Sequence, residues 1–344
     1  MGAVSPLRHL QTGKESVRGT EVAATARMIP RPGGITWRDL TEKPPAEADY
    51  GLLDARHSGN PSEIARQMSE VEFEGDLCYE QIIAPLLAGV RGAVSPVAQN
   101  GGTDGQLWTF TPQASSDPAP DAFTLEYSED DGSADILAVT MTYGLVRRIR
   151  LSGAQGAEYS TMAVDWFARK SIAKGKTGGV GLPTRNLVVG PIATVGIATT
   201  FAGLSSATVL SAQIVSWQWE LITGFMPNFR IDASAPDFSA YGFTVRAATL
   251  QLALDWSAEA ETERASRLQA AALQYFRVQQ LGPDIGASAH RLIIDGCYEL
   301  TDPVEAGRDT EGQSQTELNY TAVHDATKGA PWEVVVQNTL ASVP

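Results

Sequence analysis

The sequence predicts a mainly β protein with flanking helices, an α+β chain in which alternating strands outnumber helical stretches. Three observations predict it. Period-two hydrophobic runs recur in both halves, most clearly at residues 71–80, 137–145 and 250–256. Breakers separate them, as at Gly101-Gly102-Thr103-Asp104-Gly105 and at residues 117–120. Only one long stretch, residues 258–281, carries a helical apolar stripe, formed by Leu268, Ala271, Ala272, Tyr275 and Val278.

Composition divides the 344 residues into four regions. Residues 1–70 are rich in Pro and Gly, lack sustained periodicity and read as an extended N-terminal arm. Residues 71–177 form a first β module, with strands at 71–80, 123–128 and 137–145 and a short helix within 81–90. Residues 178–206 carry a single charged side chain, Arg185, and read as a Gly-, Ala- and Thr-rich connector or stacking loop. Its run at 187–204 is broken by Gly190, Pro191, Gly196 and Gly203, which makes a poor membrane-spanning helix, so burial against another subunit is expected. Residues 207–344 form a second β module. Its strands fall at 215–221, 250–256, 292–299, 317–323 and 332–337, and Glu259, Glu261 and Glu263 suit the start of the helix over 258–281. Gly282-Pro283 would end that helix. Asp76-Leu77-Cys78-Tyr79-Glu80 and Asp295-Gly296-Cys297-Tyr298-Glu299 echo one another and hint at duplication.

Residues 71–80 are the most informative segment. As a strand they set Val71, Phe73, Leu77 and Tyr79 on one parity and Glu72, Glu74, Asp76 and Glu80 on the other. No run of Lys or Arg lies nearby in sequence to neutralise that row, so an acidic face is expected in solvent. The net charge of −14 excludes a protein that grips nucleic acid through its phosphates, but suits one past which DNA moves. The first residues, with Arg8, Lys14 and Arg18 among polar side chains, do not read as a secretory signal. Cys78 and Cys297 are too few for a disulfide framework and read as free thiols in strands.

Catalytic and ligand motifs fail on their spacing. Gly175-Lys176-Thr177 lacks the first glycine of a phosphate-binding loop, where Lys170 stands. The histidines His9, His57, His290 and His324 are dispersed, and His324 beside Asp325 would face away from it in a strand. Glu129, Asp130, Asp131 and Asp135 lack the calcium-loop pattern and read as a solvated hairpin tip. No catalytic, cofactor or metal site is expected, and the chain does not read as an enzyme. A glycan-binding or hydrolytic β-sandwich is the alternative, resting on aromatic strands such as that of Trp217 and Trp219.

Gly13-Lys14-Glu15 with Gly19-Thr20, then Phe73-Glu74-Gly75-Asp76-Leu77, Trp108-Thr109-Phe110-Thr111-Pro112 and Phe123-Thr124-Leu125-Glu126, resemble the opening half of the tail tube proteins of long-tailed, non-contractile bacteriophages. Ile293-Ile294-Asp295-Gly296, residues 320–325 and Val334-Val335-Val336-Gln337-Asn338 resemble that family's closing strands. The resemblance implies β-sandwich or barrel modules, two in tandem, whose sheets join edge to edge in rings that stack into a hollow tube for the genome. It implies as partners the chain itself, tape-measure, tail-terminator and tail-tip proteins and DNA in transit, with no membrane; the place is the virion tail, assembled in the host cytoplasm. A capsid or tail-terminator component is the structural rival. Glu72, Glu74, Asp76 and Glu80 are then expected to line the lumen, and Leu187, Val189, Ile192, Val195, Ile197 and Phe201 to contact an adjacent subunit or ring. Three copies would supply six modules of about four strands, closing a barrel roughly 48 Å across at the backbone. A true hexamer of single modules is the other stoichiometry.

Overall fold

The computed structural model of the protein describes residues 7–42, 64, 66–112, 119–130, 135–210, 214–230, 236–255, 273–301, 306–310 and 313–343. Strand content of 58% against 7% helix makes it β-rich, and the sheets are large and antiparallel. The first half contains β1 (Leu7–Lys14), β2 (Ala26–Met28), β3 (Ile35–Glu42), β4 (Arg66–Asp76), helix α1 (Ile83–Gly89), β5 (Val97–Ala98) and β6 (Gln106–Phe110). There follow β7 (Phe123–Asp130), β8 (Asp135–Ala154), β9 (Thr161–Ala168), β10 (Ile172–Ala173), β11 (Ala193–Ala198) and β12 (Thr208–Val209). The second half adds β13 (Ile214–Ile222), β14 (Phe225–Asn228), β15 (Ala240–Phe243), β16 (Ala247–Asp255) and β17 (Gln274–Ile285). It closes with β18 (Ser288–Leu300), β19 (Ala306–Thr310), β20 (Gln313–Ala322) and β21 (Trp332–Asn338).

Hydrogen-bonded neighbours define three long antiparallel runs of strands, the first two joined where β18 pairs with β20, and a separate β14–β15 hairpin. The longest runs β3-β4-β9-β8-β13-β16-β20-β19. A second runs β5-β6-β21-β18-β17-β11-β12. The third runs β2-β1-β7-β8-β10 and shares β8 with the first. Side chains alternate along each strand, so each run offers one apolar face. These faces meet in one core that includes Phe73, Trp166, Trp219, Leu252, Trp108, Phe276, Trp332 and Met141, with Leu86 and Leu87 of α1. Aromatic contacts cross between runs: Trp219 meets Trp332 edge-on at 5.5 Å, and Phe276 lies 4.8 Å from Tyr320.

The two halves of the long run show the same strand order. In its first half the strands stand in the order β3, β4, β9, β8, and in its second β13, β16, β20, β19. Chain order is the same in both: an edge strand, its neighbour, then a hairpin whose second arm returns to that neighbour. Residue pairing follows suit, since Ile35, Phe73 and Val164 stand in one row and Trp217, Leu252 and Leu318 in its counterpart. Trp37, Val71 and Trp166 likewise match Trp219, Leu250 and Tyr320. The short echo between residues 76–80 and 295–299 does not fall at matching places in this order: Asp76 ends β4 and Asp295 lies inside β18, whereas Asp255, at the end of β16, stands where Asp76 does.

Three sequence expectations are corrected. Within residues 1–70, read as an arm, β1 pairs with β7 over its whole length and β3 with β4. Their stability comes from partners distant in sequence, which local periodicity does not display. Of the helix expected over residues 258–281, residues 258–272 lie outside the described residues, and from Gln274 onward the chain is β17, not helix. Phe276, Val278 and Gln280 are buried in alternation, and ladders with β18 and β11 override the helical spacing of Tyr275 and Val278. Gly282-Pro283 sits in an irregularity of the β17–β18 pairing instead of ending a helix. The expected strand at 71–80 stops at Asp76.

Glu15, just past β1, holds the shared strand in place. Its carboxylate accepts hydrogen bonds from Gly19 N (2.6 Å), Tyr143 N (2.8 Å) and Thr124 Oγ1 (3.1 Å), and burial raises its pKa above the ordinary value. The folded state thus binds this proton more tightly than the unfolded chain. The resulting stability is complete below the ordinary value of 4.5 and is lost as pH rises through the folded-state value. Glu15→Gln, neutral at every pH, should therefore lose ground to the native protein on acidification. In urea titrations the native-minus-variant stability should shrink between about pH 4 and about pH 7, and a gap that widens over this range would overturn the assignment.

Candidate functional site: the polar face of the long sheet

The face of the long run that points away from the core is mainly polar in both halves, with Leu40 and Ile222 exposed on it. Its register sets Thr36 opposite Glu72, Glu72 opposite Asp165 and Asp165 opposite Arg148. One row on, Glu74, Ala163, Arg150, Glu220, Thr249 and Thr321 follow one another across the strands. The next row is Asp76, Thr161, Ser152, Gln218, Gln251 and Asn319.

Arginines interleave with the acids. Arg38 reaches Glu70 at 2.7 Å and Glu72 at 3.0 Å, and Arg147 reaches Glu70 at 2.7 Å. Arg148 pairs with Asp165 at 2.7 Å, Arg150 with Glu220 at 2.8 Å and Arg31 with Asp76 at 2.6 Å. The hydrogen bond from Arg38 to Glu70, with the charges of Glu70 and Glu72, holds its guanidinium still more firmly protonated. The expected unneutralised row of carboxylates is corrected accordingly: Arg38 of β3 pairs with Glu72 and Arg31 with Asp76, while the arginines of β8 pair with the neighbouring Glu70, Asp165 and Glu220. Linear proximity could not reveal them, because neighbours across a sheet are remote in sequence. The available signal was Arg147-Arg148-Ile149-Arg150, whose alternation places Arg148 and Arg150 on one face.

Of the four acids expected to share a face, Glu72 and Glu74 are exposed and Asp76 is half-buried. Glu80 is not with them. β4 has ended, the chain turns inward, and Glu80 is buried, accepting hydrogen bonds from Asn186 N (3.0 Å), Asn186 Nδ2 (2.6 Å) and Cys78 Sγ (2.9 Å). His290 Nε2 lies 3.5 Å from it. Burial, with the neighbouring charge of Glu80, pushes the Cys78 thiol up to about 12, so it remains protonated.

The expected contact residues also separate. Val195 is buried in the main core and Ile197 packs against it, while Phe201 is buried with Leu204 and Cys297. Internal packing removes Val195 and Phe201 from any external contact. Leu187 and Val189 are half-buried and bridge to Cys78 and Tyr159, whereas Ile192 keeps 53% of its surface exposed.

The rejected motifs have structural roles. Lys176 pairs with Asp130 at 3.2 Å and with Asp135, and Thr177 donates from N (2.7 Å) and Oγ1 (2.6 Å) to Glu126. Asp130 and Asp135 are thus held by a lysine and do not form a bare solvated tip. Asp325 accepts a 2.8 Å hydrogen bond from Tyr275 Oη, while His324 is exposed. Among the described residues, no helix is long and apolar enough to cross a membrane. No protein-family model matches the chain, and no curated protein matches it.

The chemistry of the face is that of a wettable surface, with guanidinium–carboxylate pairs concentrated in the first half and amides and hydroxyls beside Glu220, Asp255 and Glu317 in the second. Exposed pairs of this kind stabilise little, whereas the apolar side of the same strands carries the fold. Glu72→Gln should change unfolding stability by about 1 kcal/mol or less. Phe73→Ala, one residue on and facing inward, should cost about 3–5 kcal/mol. Chemical denaturation of both variants checks this, and comparable losses would show that the face is structural.

Proposed function

We propose that this protein is a structural subunit of a bacteriophage tail tube, polymerising as stacked rings around a bore through which the DNA genome passes. The observation that carries the reading is the long antiparallel run, its two halves sharing one strand order, greasy on one side and polar over most of the other. Such a sheet, curved with its core outward, supplies a wall for a channel. Its polar side suits transit of a polyanion. Lys- or Arg-dominated surfaces bind phosphates by releasing counterions, whereas arginines already paired with carboxylates, beside neutral amides, leave DNA hydrated and mobile.

In this reading Glu72, Glu74 and Asp76 face the lumen, and Glu80 does not. The partners are further copies of the chain, with tape-measure, tail-terminator and tail-tip proteins at the tube's centre and ends, and the place of action is the virion tail. No step of bond chemistry is assigned to the chain. The polar face works by what it fails to bind.

Electron microscopy of purified protein should show long hollow tubes. Single closed rings or shells would favour a terminator or capsid component, and persistence as monomers at high concentration would overturn the proposal. A charge test addresses the bore itself. Glu74 and Thr249 are exposed on the polar face, one in each unit, so Glu74→Lys with Thr249→Lys should leave tube formation intact. It should also slow DNA ejection, with the defect relieved between about 50 and about 200 mM salt. Normal ejection at low salt would place this face elsewhere than the bore.

A further inference from the structure

The long run ends in two strands that are each paired on one side only. Among the described residues β3 pairs with β4 alone along its length, and β19 with β20 alone. An edge left open in this way is a template for another strand. Arg8 Nη1 occupies the carbonyl of Ile35 at 3.0 Å, so the free part of β3 begins at Thr36. Thr36 and residues 38–42 are exposed.

The protein already contains one junction of the kind these edges would make. Where the two units meet, the last strand of the first, β8, pairs antiparallel with the first strand of the second, β13. By position β19 corresponds to β8 and β3 corresponds to β13. We propose that β19 of one copy pairs antiparallel with β3 of the next, reproducing the β8–β13 junction between subunits and passing head to tail around the ring. This rests on the tube reading above and names the partner surfaces within it.

The repeat also fixes the register. Leu151 stands opposite Met162 on one side and Trp219 on the other, and Ser152 stands opposite Thr161 and Gln218. In the second unit Ala306 stands opposite Thr316 and Arg308 opposite Gln315, the positions matching Met162 and Thr161. Trp37 matches Trp219, and Thr36 matches Gln218. The intermolecular ladder therefore sets Ala306 opposite the neighbour's Trp37 and Arg308 opposite the neighbour's Thr36. Pairing is heterologous, donor edge to a different acceptor edge, so it propagates until a ring closes.

Paired cysteines test the register. Both native cysteines are buried, and β3 and β19 lie at opposite ends of the run, roughly 34 Å apart at the usual strand spacing, so a link between them joins two copies. Tubes assembled from Thr36→Cys, Arg308→Cys double variants, treated with mild oxidant or a short bis-maleimide, should give a covalent ladder on non-reducing gels that ends at three chains. The off-register pair Leu40→Cys, Arg308→Cys should give about tenfold less product, because opposed residues alone meet the geometry of a disulfide. Cross-linking by either single variant would signal a symmetric edge pairing and overturn the proposal. Tubes that form normally but link only off register, or not at all, overturn the edge assignment and leave the tube reading standing. Protein that never assembles overturns both.

Discussion

The architecture depends on one strand belonging to two sheets. β8 runs for 20 residues; its first part pairs with β7 and β10, and its last part with β9 and β13. The change of partner falls at Tyr143 and Gly144. Tyr143 has φ of 61°, a left-handed conformation costly for an aromatic residue, and a Cβ on Gly144 would come within 2.6 Å of the carbonyl oxygen of Phe123. Glu15 takes the Tyr143 N–H, Phe238 packs edge-on against its ring at 5.2 Å, and the Arg169 guanidinium lies over it at 5.1 Å. Elements from across the chain thus hold the bend. Without it β8 would not reach β13, and the two units would lose the seam that makes one surface of them.

The distribution of charge on that surface follows from register more than from composition. The chain is strongly acidic, yet the arginines of β8 stand among the acids of β4, β9 and β13 because alternation carries them to the same side. These partly exposed pairs relieve repulsion between carboxylates without binding the sheet together. The two units then diverge at matching positions: Glu72 and Asp165 in the first correspond to Gln251 and Asn319 in the second. Each is a near-isosteric exchange of carboxylate for amide. Shape is kept, hydration is kept, and charge is removed at these two positions, while Glu220, Asp255 and Glu317 keep carboxylates on the second unit.

Strand positions were legible wherever one side of a strand faces water and the other the core, as in β4, β8, β13 and β16, because that burial imposes the period of two on the sequence itself. α1 was legible as a short apolar interruption between breakers. The strands of the first 42 residues were not, since β1 is buried through its centre on both parities and its partner β7 begins more than 100 residues away. Residues 274–281 carry both periods at once, and only the presence of β11 and β18 on either side decides between them. Glu80 was misplaced for a related reason: parity is informative only while a strand lasts, and nothing in Asp76-Leu77-Cys78 announces its end. The shared strand order of the two halves was not legible, because it resides in pairing, while the side chains at matching positions differ in identity.

On the proposed tube reading, two units in one chain constrain how such a surface can close. Because the second unit follows the first with the same strand order, the step between them is a rotation without reversal, and its angle is built into the β8–β13 seam. If the same seam recurs between chains, every step around a ring applies the same rotation, and the curvature of the assembly is already present in the monomer. Closure then requires an even number of units, two per chain, and a mismatch in angle would yield an open spiral instead of a ring. Fusing units in pairs also halves the number of seams that must form by collision, and lets paired positions diverge in charge without breaking the symmetry of the backbone.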